Sequence, residues 1–196
     1  MISKIPVARW LLYVFLIGPA LAMAYQALSG TEAADMLHPT GEMSVRLMMI
    51  AMMIGPAVRL WPRSRWLKRA LRHRRHIGVA AFGYAFAHLI FYLVETGTIK
   101  FLLDEIGAPG IWTGWLAFFL MLVPALASND ASMRVMKRMW KPVQRLLYAA
   151  VAFTVLHWGF LIDEWGPAIV HVAPWLALQL AVLLKFSLSS KTRITS

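Results

Sequence analysis

The chain has 196 residues, of which 60% are hydrophobic and 15% are charged, and the apolar residues fall in blocks. This composition excludes an ordinary soluble domain of the same size. The chain has no cysteine, so disulfides, iron–sulfur clusters, thiolate zinc sites and thiol catalysis are excluded. Its net charge of +11 would suit a nucleic-acid partner, but the distribution of the charges argues against one.

Six apolar windows follow one another along the chain, each near the ~20 residues that a spanning helix requires. They predict an all-α integral membrane protein, a single domain over residues 1–196 folded as a six-transmembrane-helix bundle in the lipid bilayer. The windows cover approximately residues 10–27, 43–60, 77–94, 111–127, 143–161 and 172–188. Short connections predict that consecutive helices are antiparallel neighbours. In the longest connection, residues 99–106 predict a short amphipathic helix at the outer interface.

Charge is distributed very unevenly between the two sets of connections. The N-terminus, the loops around residues 59–75 and 134–145, and the tail from residue 185 hold 18 of the 20 Lys and Arg residues. Eight of the nine acidic residues lie in the opposite connections, and Asp130 is the exception. Because Lys and Arg are retained on the cytoplasmic side, both termini are predicted to be cytoplasmic in a multi-pass membrane protein.

Two histidines, His88 and His157, lie inside apolar windows, where an imidazole is costly unless it is ligated or hydrogen-bonded. Both lie about five residues before the outer ends of windows that run in the same direction, so their depths match. Two imidazoles that face each other across a bundle are the metal ligands of a six-coordinate haem. The alternative is that each histidine only bonds a neighbouring helix. Small flanking residues predict room for a flat macrocycle: Gly83, Ala85, Ala87, Ala149, Ala150, Ala152 and Gly159.

The remaining candidate ligands are weaker. His76, at the inner start of the third window, is a candidate ligand for a second site, and solvation or lipid binding is the alternative. Arg46 either contacts a haem propionate or extends to a lipid headgroup. His38 and His171 are placed in outer loops, with residues 38–41 forming a turn before the second span. The methionines of that span are predicted to fill the core: Met48, Met49, Met52 and Met53.

Several short motifs occur in a characteristic order over about residues 10–190. They are His38-Pro39-Thr40-Gly41, Gly55-Pro56-x-x-Arg59, Arg72-x-Arg74-Arg75-x-x-Gly78 leading to His88, Ala127-Ser128-Asn129, Arg134 with Trp140, Leu147-Tyr148, and His157. In order and spacing the chain resembles the ferric-reductase-like transmembrane family. Within that family it is most similar to the haem-binding membrane subunits of periplasmic methionine sulfoxide reductase systems.

The resemblance implies an electron-transfer subunit of an oxidoreductase system rather than a self-sufficient enzyme. It implies one or two b-type haems, with His88 and His157 as the axial ligands on the outer side. Electrons would pass from quinol or a cytosolic flavin reductase to a periplasmic redox partner such as a methionine sulfoxide reductase catalytic subunit. Arg72, Arg74 and Arg75 would form an inner basic face where FMN, a quinone headgroup or the reductase docks.

One position departs from the family pattern. Where the family commonly has Leu-His, this chain has Val143-Gln144, about 13 residues or roughly 20 Å before His157. Glutamine is a poor haem ligand, so the inner site is absent, is occupied by a different cofactor bound near Gln144, or is completed by His76 with an unusual partner.

Two other function classes compete with electron transfer. A non-catalytic accessory or assembly subunit of a larger membrane complex would keep the same fold. A transporter is less well supported, because the spans lack paired carboxylates and no internal repeat is found.

Overall fold

Long helices account for nearly all of the chain in the computed structural model, which describes the backbone of residues 7–194 and the side chains of residues 10–187. The helices are α1 Val7–Leu28, α2 Ala33–Leu60, α3 Arg65–Thr96, α4 Ile99–Glu105, α5 Pro109–Leu126, α6 Asp130–Met136, α7 Trp140–Ile162 and α8 Trp165–Ile194, with a 3₁₀ turn at Lys137–Met139. Six of the helices are long and apolar enough to cross a membrane. The predicted all-α, six-span membrane fold is therefore confirmed, and α4 is the short helix predicted between the third and fourth spans.

The two ends of the bundle differ in charge, and we name them accordingly. The basic end comprises residues 61–64, the first turns of α3, and residues 127–139. The acidic end comprises residues 29–32, 97–108 and 163–164. The extreme termini predicted to be cytoplasmic, residues 1–6 and 195–196, lie outside the described residues.

The helices extend beyond the apolar windows, and two loop predictions are wrong for this reason. His38 lies inside α2 rather than in a turn, because Pro39 sits near the helix start, where its missing N–H removes only one backbone hydrogen bond. His171 lies in the second turn of α8, which tolerates Pro167 in its first turn. At the basic end, the Ser64 hydroxyl caps α3 by accepting the Leu67 N–H at 3.3 Å. The basic stretch that follows is therefore helical and not a loop.

The core is centred on α2. Within its apolar window 56% of the residues are buried, against 6% for α1, so α2 is the central helix and α1 a peripheral one. The predicted core role of the α2 methionines is confirmed for Met48, Met49 and Met52, which are buried. Packing is densest in two antiparallel pairs, α2 with α3 and α5 with α7, and α8 contacts α2 and α7. The bundle is therefore built from two helical hairpins bridged by α8.

Polar contacts between helices are few and specific. The Ser44 hydroxyl donates to the Ala81 carbonyl at 2.9 Å and joins α2 to α3. The Tyr84 hydroxyl donates to the Leu16 carbonyl at 2.9 Å and is a tie between α3 and α1. In an apolar surrounding such bonds contribute about 0.5–2 kcal/mol each. They fix the register of helices whose remaining contacts are apolar and non-directional.

Ala150 tests the packing of α7 against α5, since its side chain is fully buried. Ala150→Leu is expected to lower the free energy of unfolding by about 1–3 kcal/mol, because no space exists for the added methyl groups. Thermal unfolding followed by tryptophan fluorescence in detergent measures the effect. Ala152→Leu, on the exposed face of the same helix, is the matched control. Equal stability of the two variants would contradict the packing described.

Candidate functional site

The two histidines predicted from the apolar windows meet between the hairpins. The His88 ring on α3 and the His157 ring on α7 have centroids 6.1 Å apart and planes inclined at 86°. Each ring is half-buried, and the pair lies nearer to the acidic end than to the basic end. The structure thus brings together two side chains separated by 69 positions in the sequence.

Each ring is held by a backbone carbonyl of the other helix in its own hairpin. The Nδ1–H of His88 donates to the Leu37 carbonyl on α2 at 2.9 Å. The Nδ1–H of His157 donates to the Gly110 carbonyl on α5 at 2.6 Å. A carbonyl oxygen can only accept, so the proton of each neutral ring is on Nδ1. Nε2 therefore carries a free lone pair in both histidines, as a metal ligand requires.

A cavity of about 720 Å³ surrounds both rings. Toward the bundle interior its walls are apolar, with Val45, Leu89 and Phe118 among them. Toward the acidic end the walls become polar: His38, Glu42, Tyr92, Glu95, Thr96 and Glu105. The volume is in the range of cofactor sites, and the change from apolar to polar along it suits an amphiphilic ligand.

Glu42 organises the polar rim of this cavity. Its carboxylate accepts from Arg46 Nη2 at 2.6 Å and lies 3.7 Å from His171 Nε2 and 3.9 Å from His38 Nε2. The ring of Trp158 stands between the two imidazoles, 5.1 Å from His171 and 6.1 Å from His38. One carboxylate therefore connects α2 to α8 at the acidic end. Arg46, considered above for a propionate, is directed at Glu42 instead.

The three arginines predicted to form one basic face point in different directions. Arg72 is exposed. Arg74 lies across α2, where its Nε–H donates to the Ala51 carbonyl at 2.8 Å. Arg75 forms an ion pair with Asp130 at the start of α6.

A second cavity of about 670 Å³ lies between α1 and α3. Its lining is mostly apolar, and Arg75, His76 and Ser128 place polar groups at its basic end. The other end reaches Thr40, whose hydroxyl oxygen is 3.4 Å from His88 Nδ1. Gln144 lies close to Ser128: its amide nitrogen is 3.4 Å from the Ser128 hydroxyl and donates to the Pro124 carbonyl at 3.1 Å.

The small residues near the histidines have more varied roles than the sequence indicates. Ala85 lines the histidine cavity, as predicted, whereas Gly83 and Ala87 line the second cavity. Gly159 makes room for Trp165 rather than for a macrocycle, since a Cβ there would lie 2.5 Å from the indole ring. Sequence reasoning missed Gly114, where a Cβ would lie 2.5 Å from His157 Nδ1.

Comparison with known proteins identifies the family of the chain. Residues 40–155 match the family described as ferric reductase like transmembrane component. The chain belongs to this family. Similar curated proteins are the protein-methionine-sulfoxide reductase heme-binding subunits MsrQ of Brucella anthropi and Brucella ovis. Each is 29% identical over 163 residues, which cover 80% of this chain and 72% of the relative. No solved structure matches the chain significantly.

Glu42→Gln is expected to lower the free energy of unfolding by about 0.5–1.5 kcal/mol, because the carboxylate bonds Arg46 and faces both rim histidines. Thermal unfolding at low and high salt is the measurement, and the loss should shrink as salt screens the charges. Glu32→Gln provides a control at a carboxylate whose side chain makes no capping hydrogen bond to α2. An unchanged midpoint for Glu42→Gln would show that the rim cluster does not join α2 to α8.

Proposed function

We propose that the chain is a membrane electron-transfer subunit that binds one b-type haem between His88 and His157. The observation that carries the proposal is the pair of imidazoles 6.1 Å apart, each with its Nδ1–H engaged and its Nε2 lone pair free. A bound haem supplies a reversible one-electron carrier, and the protein sets where it lies and which groups surround it.

The spacing of the rings suits one iron between them. A metal–imidazole nitrogen bond is about 2 Å long and a ring centre lies about 1 Å beyond the nitrogen, so two axial imidazoles have centroids about 6 Å apart. Among the described residues, no group of three or more His, Cys, Asp or Glu side chains could hold a metal ion. A metal at this place needs further ligands from a macrocycle, which favours haem over a bare ion.

The lining of the histidine cavity also suits an amphiphilic macrocycle. Apolar walls would contact the porphyrin face, and the polar rim would face its propionates. Arg46 forms an ion pair with Glu42 and does not line the cavity, so the proposal does not use it as a propionate ligand. The side chains at the rim that carry donor groups include Tyr92, Thr96 and His38. In this structure the Tyr92 hydroxyl donates to Glu105 at 3.4 Å and the Thr96 hydroxyl donates to the Tyr92 carbonyl at 2.8 Å.

A single haem is favoured over two. Gln144 occupies the position of a possible inner ligand, and its amide is bonded to the Pro124 carbonyl and lies 3.4 Å from the Ser128 hydroxyl. Gln144 lines neither of the two cavities described. His76 belongs to the cavity between α1 and α3 and faces Tyr13 and His73, each with ring centroids 6.0 Å from its own. Nothing in this arrangement pairs His76 with Gln144 around a common metal.

The cavity between α1 and α3 favours quinol as the electron donor over FMN or a cytosolic flavin reductase. It is mainly apolar, borders the most exposed span and has polar groups only near its ends, so it fits a ring with a long apolar tail. At the basic end, Arg75 and His76 would contact the quinol ring and take part in proton release. At the opposite end, the cavity is lined by Thr40, whose hydroxyl oxygen is 3.4 Å from His88 Nδ1. The cavity proposed for the donor therefore lies next to a proposed haem ligand.

The acceptor is assigned to the acidic end. By charge distribution this end faces the periplasm and the basic end the cytoplasm, in a bacterial inner membrane. The histidine cavity opens toward the acidic end, so electrons would leave the haem there. The names of the relatives support a methionine sulfoxide reductase catalytic subunit as the periplasmic partner.

His88→Ala and His157→Ala are each expected to remove nearly all low-spin haem absorbance, because the iron loses an axial ligand. His73→Ala, whose ring lies outside the histidine cavity, should keep the spectrum of the unsubstituted protein. Visible spectra and pyridine haemochrome assays of purified protein provide the measurement. Normal haem content in both substituted proteins would contradict the assignment. Absence of haem from the unsubstituted protein would favour the accessory-subunit alternative.

Arg75→Ala is expected to slow haem reduction by a water-soluble quinol several-fold while leaving the haem spectrum unchanged, since Arg75 lines the donor cavity only. The control is Arg72→Ala, an exposed arginine outside both cavities. Stopped-flow absorbance measures the rate. Equal rates for the two variants would place the quinol elsewhere.

A further inference from the structure

Each of the two carbonyls that hold the histidines begins a five-residue segment that ends in a Thr-Gly pair. In α2 it is Leu37-His38-Pro39-Thr40-Gly41, and in α5 it is Gly110-Ile111-Trp112-Thr113-Gly114. The first residue supplies the carbonyl that accepts from the histidine. The fourth is threonine and the fifth is glycine in both. We call each segment a cradle. A third Thr-Gly pair, Thr96-Gly97 at the end of α3, approaches no histidine, since a Cβ at Gly97 would meet only backbone atoms of Val94 and Glu95.

The threonines of the two cradles make equivalent hydrogen bonds. Thr40 Oγ1 donates to the carbonyl four residues back at 2.6 Å and lies 3.0 Å from the carbonyl that holds His88. Thr113 Oγ1 does the same at 2.5 Å and lies 3.0 Å from the carbonyl that holds His157. Among the described side chains only three polar ones are fully buried, and two of them are these threonines. Such back-bonding bends a helix locally, which turns the carbonyls of that turn outward.

The glycines of the cradles make room for the imidazoles. A Cβ at Gly41 would lie 3.1 Å from Nδ1 and 3.3 Å from Cε1 of His88. A Cβ at Gly114 would lie 2.5 Å and 2.6 Å from the same atoms of His157. Each ring therefore rests directly on the backbone of the neighbouring helix, at the one residue of that turn without a side chain.

Resting on the proposed function, we propose that the cradles are the devices that position both haem ligands, with Thr40, Gly41, Thr113 and Gly114 as positioning residues. Each cradle fixes the proton on Nδ1, aims Nε2 into the shared cavity and sets the plane of its ring. The two planes are set at 86° to each other. The same cradle geometry in α2 and α5 explains how the two histidines are presented alike.

The angle between the rings has a spectroscopic consequence. Perpendicular axial imidazole planes leave two iron d orbitals nearly equal in energy, and the low-spin ferric EPR signal is then strongly anisotropic. Parallel planes separate these orbitals and give an ordinary rhombic signal. Hydrogen bonds to Nδ1–H raise the basicity of the ligand and so lower the reduction potential. The EPR signal therefore reports the orientation of the rings, and the reduction potential reports their hydrogen bonding. Neither quantity is a measure of folding stability.

The test compares cradle variants with a glycine control on α3. Gly114→Ala is expected to displace His157 and convert the haem from low-spin to high-spin. Gly41→Ala, with the looser contact, should retain haem but shift the EPR signal. Gly78→Ala, where a Cβ would meet nothing within 4 Å and which lines neither cavity, should match the unsubstituted protein. Size-exclusion chromatography and thermal unfolding check that each variant is folded.

The hydroxyl is tested at Thr40, which stands 3.4 Å from His88 Nδ1. Thr40→Val keeps the side-chain shape and removes an acceptor near the ring N–H, so the reduction potential should rise. Thr40→Ser keeps the hydroxyl and should restore the original value. If Gly114→Ala does not fold, the reduction potentials of Thr40→Val and Thr40→Ser still test the cradle proposal.

The outcomes separate this inference from the proposed function. If the cradle variants show the EPR signal and potential of Gly78→Ala, while substitution of His88 or His157 removes the haem, the cradle proposal alone is overturned. An unsubstituted protein without haem would overturn both. Displacement in Gly114→Ala, together with a potential that rises in Thr40→Val and returns in Thr40→Ser, supports the cradles.

Discussion

The structure depends on how an imidazole is accommodated in an apolar interior. An N–H without an acceptor in such a place costs about 1–3 kcal/mol. Both central histidines meet this requirement with a backbone carbonyl from the neighbouring helix. The bonds require α2 to lie close against α3, and α5 against α7, in one register. They also leave the Nε2 lone pair free on two imidazoles that line one cavity.

The two halves of the bundle are specialised differently. Toward the acidic end the hairpins separate around the histidine cavity and a polar rim. Toward the basic end the α2 methionines pack tightly, and Gln144 bonds the backbone of α5. Flexible thioethers fill irregular space well, which suits the packed core around α2. The peripheral α1 encloses the second cavity together with α3. Thr40 lines this cavity and also lies 3.4 Å from the His88 ring.

Much of this organisation could be predicted from the sequence, because hydrophobic blocks and charge asymmetry directly reflect the bilayer. The six spans, the α2 core and the choice of His88 and His157 follow from that reasoning. The helix starts could not be predicted as well, since Pro39 near the start of α2 and Gly166-Pro167 at the start of α8 are residues typical of turns. The carbonyl acceptors of the two histidines could not be predicted either, because every residue has a backbone carbonyl. The repeated Thr-Gly pair was the available signal, but two residues are too short a match to recognise without the fold.

The most direct test of the account is a reduced-minus-oxidised visible spectrum of the purified protein, with haem quantified against protein. If the proposed function is right, the spectrum shows one low-spin b-type haem per chain, held by the two histidines between the hairpins. Two haems per chain would contradict it, because a second haem would need a site outside the histidine cavity, at the start of α7 where Gln144 is a poor haem ligand. A protein purified without haem would contradict it as well and leave the cavity to another ligand.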